Sequence, residues 1–301
     1  MPDFDALRQE LSSLYTLQSE RGRDALGITF SGTAADGRAA FVRVIGADVS
    51  ADIDAPDEFV RVIESAARVA HAALVPILGA GVTPTGRLYC ATLRPEGRSA
   101  SERAVGGETL AAGDIGPVGA AVADGLAQLH AHGIVHGAIT ASQLFLSSES
   151  PSLLGAGLLQ ALVAGGLEPR RAAMLLAPPA ALAPELLGGA PATPEADVYG
   201  LGAVLYEMHT GKPPFGGRTT AFVMASVLGD ETASVSETGS QHAGQVVEAL
   251  LRAIEKSPED RWRSAEAFAR ALAPDVARNN VQGRAWTDVF KSLYSKVLKR
   301  D

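Results

Sequence analysis

The chain has 301 residues, 47% hydrophobic and 20% charged, which allows one large or two modest domains around a core of ordinary size. Its net charge of −8 carries no whole-chain basic signal, so nucleic acid is not an expected partner. The single cysteine, Cys90, excludes an intrachain disulfide framework; Asp3, Asp5 and Glu10 argue against a leader peptide, and no apolar run approaches the ~18 residues of a membrane span, so a cytoplasmic location is expected.

Phe4, Leu7, Leu11 and Leu14 recur at helical spacing and predict a short amphipathic helix over residues 3–13. Short apolar runs cut by glycine follow: "LYTLQSERG", "LGITFSG" and "AAFVRVIG" read as three strands of a meander. Residues 57–70 place Phe59, Val62, Ile63, Ala66 and Val69 on one helical face. "ALVPILGAGVTPTGRLYCATL" gives two more strands around a turn at Pro84–Gly86. After Gly97 the composition turns helical, with helices predicted over 114–132, 195–210, 244–256 and 264–272. Gly211 and Pro213 stop the second of these, so "TGKP" (210–213) is a helix stop rather than a phosphate loop. Strands followed by helices predict an α+β chain with a small β-rich lobe, residues 14–97, on a larger helical lobe, residues 98–273.

Four segments in order resemble the bacterial serine/threonine protein-kinase family: "LAQLHAHGIVHGAITASQLFL" (126–146), "LAPE" (182–185), "ADVYGLGAVLYEMHTGKPPF" (196–215) and "SPEDRWRSAEAFARAL" (257–272). The resemblance covers about residues 14–273 and implies the two-lobed protein-kinase-like fold; the first half matches in outline only. Phosphoryl transfer needs a base for the attacking hydroxyl, metal ligands, and cations on the phosphates. By the resemblance, the catalytic Asp falls on Ala138, its Arg neighbour on Gly137, the Lys on Thr140 and the metal-binding Asn on Gln143. The Asp-Phe-Gly falls on Gly155, Ala156 and Gly157. A methyl group accepts no proton and a glycine hydrogen binds no metal. The chain therefore reads as a degenerate, pseudokinase member of the family.

The nucleotide cradle is degraded as well. In "GRDALG", Gly22 and Gly27 remain, but Asp24 replaces the middle glycine and is expected to repel phosphate. Arg43 stands where the resemblance places the phosphate-pairing Lys, and Phe41, on the same strand face, replaces the small Ala that makes room for adenine. The Glu partner of that Lys falls on Val62, with Glu64 facing away. Gly22, Gly27, Phe41, Arg43 and Thr92 thus outline a vestigial nucleotide cleft. No cofactor is expected, and no metal: His130, His132 and His136 lie close together without a supporting Cys or acidic cluster. Cys90 reads as inert packing. What the resemblance retains is structural: His136 as a core residue bonded to backbone, Asp197 holding the loop after His136, and Glu185 with Arg261 as a buried ion pair.

The leading functional reading is a catalytically inactive scaffold or regulatory binding module in bacterial signalling, its protein partner unspecified. Its rivals are a divergent kinase using Asp24, Gln143 or Glu149, and an ATP-binding sensor without turnover. Residues 158–183 contain no Ser, Thr or Tyr, so a phosphorylation switch is not available there. The apolar run around Met174, Leu175 and Leu176 is expected either to fold into the empty cleft or to present a patch to a partner. Residues 274–301 read as a linker and an amphipathic helix, capped by Thr287, with Trp286, Phe290, Leu293, Tyr294 and Leu298 on its apolar face. Five basic against two acidic residues from Arg284 to Asp301 leave open docking on the chain itself, on a partner groove, or peripherally on an anionic membrane surface.

Overall fold

The computed structural model describes residues 2–229 and 241–273. Helix α1 (Pro2–Glu10) precedes a five-stranded antiparallel sheet of β1 (Tyr15–Arg23), β2 (Gly27–Ala34), β3 (Ala39–Ile45), β4 (Ile77–Val82) and β5 (Leu88–Leu93), in the order β1-β2-β3-β5-β4. Helices α2 (Ala47–Ala51) and α3 (Pro56–Ala67) connect β3 to β4. Side chains alternate across a strand, and that parity divides the work of the sheet. Ala40, Val42 and Val44 of β3, with Tyr89 and Ala91 of β5, join Leu7 and Leu11 in a core under α1. Phe41, Arg43 and Ile45, with Leu88, Cys90 and Thr92, occupy the opposite parity, on the side of α3 and the larger lobe.

The larger lobe begins with a three-stranded sheet, β6 (Arg98–Ser99), β7 (Leu144–Leu146) and β8 (Pro151–Leu153), around which α4 (Ala100–Val105) and the long α5 (Ala112–Ala131) are arranged. Then come α6 (Leu158–Ala164), α7 (Pro169–Leu176), α8 (Pro184–Leu187), α9 (Pro194–Thr210), α10 (Thr220–Leu228), α11 (Gln241–Ala253) and α12 (Ala265–Leu272). Helix α9 is started by the Thr193 side chain, which accepts from the Ala196 N–H, and stopped by Gly211 at φ +75°. It is buried along nearly its whole length, and Gly202 lets α11 approach so closely that a Cβ there would lie 2.7 Å from Ala253 Cβ. Val118, Val122, Leu126, Leu201, Leu205, Leu250, Phe268 and Leu272 belong to the core where α5, α9, α11 and α12 meet.

The fold is α+β, a small antiparallel lobe on a helical one. The helices read from periodicity appear with shifted ends: α3 stops at Ala67 rather than 70 and α11 at Ala253 rather than 256. Strands β6 to β8 sit inside a stretch whose composition predicts helix; at two or three residues each they are too short to show alternation. The linker and amphipathic helix predicted for 274–301 lie outside the described residues.

Candidate functional site

The loop after α5 is built around Asp197, which is fully buried on α9. Its carboxylate accepts from the backbone N–H of His136 at 2.9 Å and of Gly137 at 2.6 Å, and lies 2.8 Å from His130 Nε2. His136 is buried and bonds through Nε2 to the Leu154 carbonyl at 3.0 Å; burial holds its imidazole pKa below the ordinary histidine value. Ala138 is 3% exposed and Gly155 has φ +99°. A Cβ built on Gly155 would lie 3.0 Å from Gln143 Nε2 and 3.5 Å from His136 Nε2, so positions 143 and 155 face one another. The Gln143 side-chain oxygen already accepts from Thr140 N at 2.9 Å and Thr140 Oγ1 at 3.0 Å. No carboxylate stands at 138, 143 or 155. A neutral amide already committed to its own loop is a poor donor set for a hard divalent cation, and these residues do not fit one.

In the small lobe, both carboxylate oxygens of Asp24 are engaged. One carboxylate oxygen accepts from the N–H groups of Leu26 at 3.0 Å and Gly27 at 3.2 Å, closing the β1–β2 hairpin. The other pairs with the Arg43 guanidinium. Asp24 is thus not a free acid but neutralised by Arg43, which also reaches Thr29 Oγ1 at 3.4 Å and has, as such an arginine commonly does, a nearby carboxylate for its partner. Gly27 is needed where it stands, since a Cβ would lie 2.2 Å from Val44 O; around Gly22 there is nothing within 4 Å. Phe41 is buried, and Thr92 is buried with its hydroxyl unpartnered. The segment joining β5 to β6 offers few free donors at its start: the Arg94 N–H is taken by Ala39 O at 2.9 Å, and Pro95 has none.

The chain that follows Gly157 packs against α3. Leu158, Leu159, Ala161 and Leu162 of α6 are buried and share one continuous apolar cluster with Ala138 below and Leu26, Phe59, Val62, Ile63 and Cys90 above. The Val62 position therefore belongs to an apolar contact between α3 and α6 rather than to an ion pair. Gly137, at φ +73°, is approached by the same helix: a Cβ there would lie 2.2 Å from Leu159 Cδ2, which would have to move aside. Polar ties hold α6 down. Gln160 Oε1 accepts from Val135 N at 3.1 Å, Ala55 N donates to Gly165 O at 3.0 Å, and Arg171 pairs with Asp52 across the lobes. On α7, Met174 is exposed while Leu175 and Leu176 pack half-buried against the cluster. Cys90 is buried and its thiol pKa is pushed up to about 11 by desolvation. At the mouth of the cleft the structure adds residues that no motif marks: Arg21 of β1 pairs with Glu102 of α4 at 2.9 Å and lies over Phe41 and Phe145.

Farther from the cleft, Arg261 is fully buried and makes a bidentate pair with Glu185, at 2.7 and 2.8 Å. Its remaining donors reach Glu255 O at 2.7 Å, Glu195 O at 3.1 Å and Lys256 O at 2.9 Å, and its guanidinium carbon lies 4.9 Å from the Tyr199 ring centroid. All three guanidinium nitrogens are engaged.

A family model for the protein kinase domain matches residues 15–272. The chain belongs to the protein kinase family. Similar curated proteins include serine/threonine-protein kinase PkaB of Streptomyces coelicolor, 28% identical over 284 residues, and serine/threonine-protein kinase PknJ of Mycobacterium tuberculosis, 29% identical over 267 residues. The matches cover 88% and 86% of this chain but 64% and 45% of those relatives, so the chain spans less than two thirds of their length. Among solved structures, the PknI kinase domain of Mycobacterium tuberculosis superposes with a TM-score of 0.64 at 22% identity, covering 86% of this chain and 95% of that one, a likeness of fold alone. Among the described residues no helix is long and apolar enough to cross a membrane, and no group of three or more His, Cys, Asp or Glu side chains could hold a metal ion.

Proposed function

We propose that this protein-kinase-family chain does not transfer phosphate and does not use Mg-ATP, and that it works in bacterial signalling as a scaffold or regulatory binding module for a protein partner. One observation carries the reading. Ala138, where the resemblance places the base, is buried in the apolar cluster that also holds Leu158, Leu159 and Leu162 of α6, and Leu159 stands against the neighbouring Gly137. A missing base alone costs about 10²–10⁴-fold in rate. Here the position of the base is also buried among apolar side chains. The rival reading, a divergent kinase, would draw on Asp24, Gln143 or Glu149. Asp24 is engaged by Arg43, Gln143 by Thr140, and Glu149 sits on the exposed β7–β8 turn.

The test is transfer from radiolabelled ATP by the full chain, with Mg²⁺ or Mn²⁺, to itself and to a generic acceptor protein. No incorporated label is expected. Incorporation that Asp24→Ala, Gln143→Ala or Glu149→Ala abolishes would establish the rival.

A further inference from the structure

Arg21 has no expected role in the family's chemistry, yet the backbone is shaped to aim it. The pairing of β1 with β2 skips between Glu20 and Gly22, which makes Arg21 the extra residue of a β-bulge. Bulges re-aim a side chain relative to the regular pleat. The aimed guanidinium carbon lies 4.8 Å from the centroid of Phe41 and 6.0 Å from that of Phe145. The two rings come from opposite lobes, Phe41 from β3 and Phe145 from β7, and both are buried, at 5% and 3% exposure. The same guanidinium donates to Glu102 Oε1 at 2.9 Å.

Glu102 is itself fixed before Arg21 arrives. Its second carboxylate oxygen accepts from the Ser99 N–H at 2.8 Å, while Ser99 Oγ accepts from the Glu102 N–H at 3.2 Å, a reciprocal capping box at the start of α4. An aromatic face from each side and a preoriented carboxylate at the rim are the chemistry that recognises a planar, delocalised cation, and they suit a guanidinium better than a compact ammonium.

We propose that Phe41, Phe145 and Glu102 form a guanidinium-binding slot across the mouth of the interlobe cleft, with Arg21 as its tethered resident ligand. One side chain then latches the small lobe to the large one. The slot stands on this geometry whether or not the cleft turns over phosphate, so its failure and the failure of the functional reading are separate results.

Hydrogen exchange on the full chain, without nucleotide, tests it. Arg21 is partly exposed on its strand, so Arg21→Ala is expected to fold. It should lose protection by about two- to fivefold in β1 and α4, the scale of a partly exposed cation–π contact with its ion pair, and leave α12 unchanged. Arg21→Lys should fall between, keeping the charge and losing the planar stack. Methylguanidinium at non-denaturing concentration should restore protection in Arg21→Ala saturably and leave the wild type unaffected, because its slot is filled. The rescue should vanish in Arg21→Ala combined with Glu102→Gln, which keeps the capping box, or with Phe145→Leu, which keeps the buried bulk. Unchanged exchange in Arg21→Ala overturns the proposal. So does the absence of rescue, or an equal response to methylguanidinium in the wild type and in the double variants.

Discussion

The Glu185–Arg261 anchor and the His136–Gly155 cleft lie in the same lobe and have fared differently. At the anchor, an arginine with no exposed surface meets a carboxylate bidentately, and three backbone carbonyls take the rest of its donors. In the cleft, the positions that the resemblance assigns to the base and the metal ligands carry a methyl group, a neutral amide and a glycine, and the leucines of α6 share an apolar cluster with the first of them. The comparison teaches that the fold and the chemistry rest on separable sets of residues. A buried ion pair cannot lose one partner cheaply, because the other is left as an uncompensated charge.

The largest effect should come from breaking the anchor. Glu185→Ala leaves the Arg261 guanidinium buried without its carboxylate and should destabilise by about 3–5 kcal/mol in denaturant unfolding. Next, Leu162→Ala removes a fully buried α6 side chain and should cost about 2–5 kcal/mol, which a ligand-free, water-filled cleft would not lose. Smaller again is Ala138→Asp, which puts the family's carboxylate back. In an open cleft the change would be tolerated and would move the protein toward activity. Under α6 it buries a polar group without a partner, so we expect a loss of about 1–3 kcal/mol and no label transfer.

The smallest effect is a slope. His136 has its folded-state pKa depressed below the ordinary 6.5 by burial, so below that pH the unfolded chain binds a proton that the folded chain refuses. Stability therefore rises as pH climbs through about 6.5 and declines on acidification below it. His136→Gln, measured against the wild type between pH 7.5 and 5.5, should flatten that slope; equal slopes would show that His136 takes up its proton in place.

Much of the architecture was legible because it is written in long periodic segments and in residues whose geometry admits few roles. The stripes of α3 and α9 could be read from the spacing of Phe59, Val62, Ile63 and Ala66 and of Val198, Leu201, Val204 and Leu205. The absence of acids at 138 and 155 was equally readable. The partners were not. Asp24 and Arg43 lie nineteen residues apart in the chain, and only the pairing of β1, β2 and β3 brings them together. The place of α6 depends on Gly137 having no side chain and on Val62 having no charge, two facts that become one only when the lobes are packed. Arg21 was illegible because a bulge breaks the parity by which a strand face is read.

The most direct test of the emptied chemistry is a thermal-shift titration of the full chain with ATP, with and without Mg²⁺. A ligand at 100 times its dissociation constant stabilises the folded state by about 2.7 kcal/mol, a displacement of several degrees for ordinary domains. A cleft without base or metal ligands predicts no shift in either series at millimolar ATP. A saturable, Mg²⁺-dependent rise in melting temperature would contradict it.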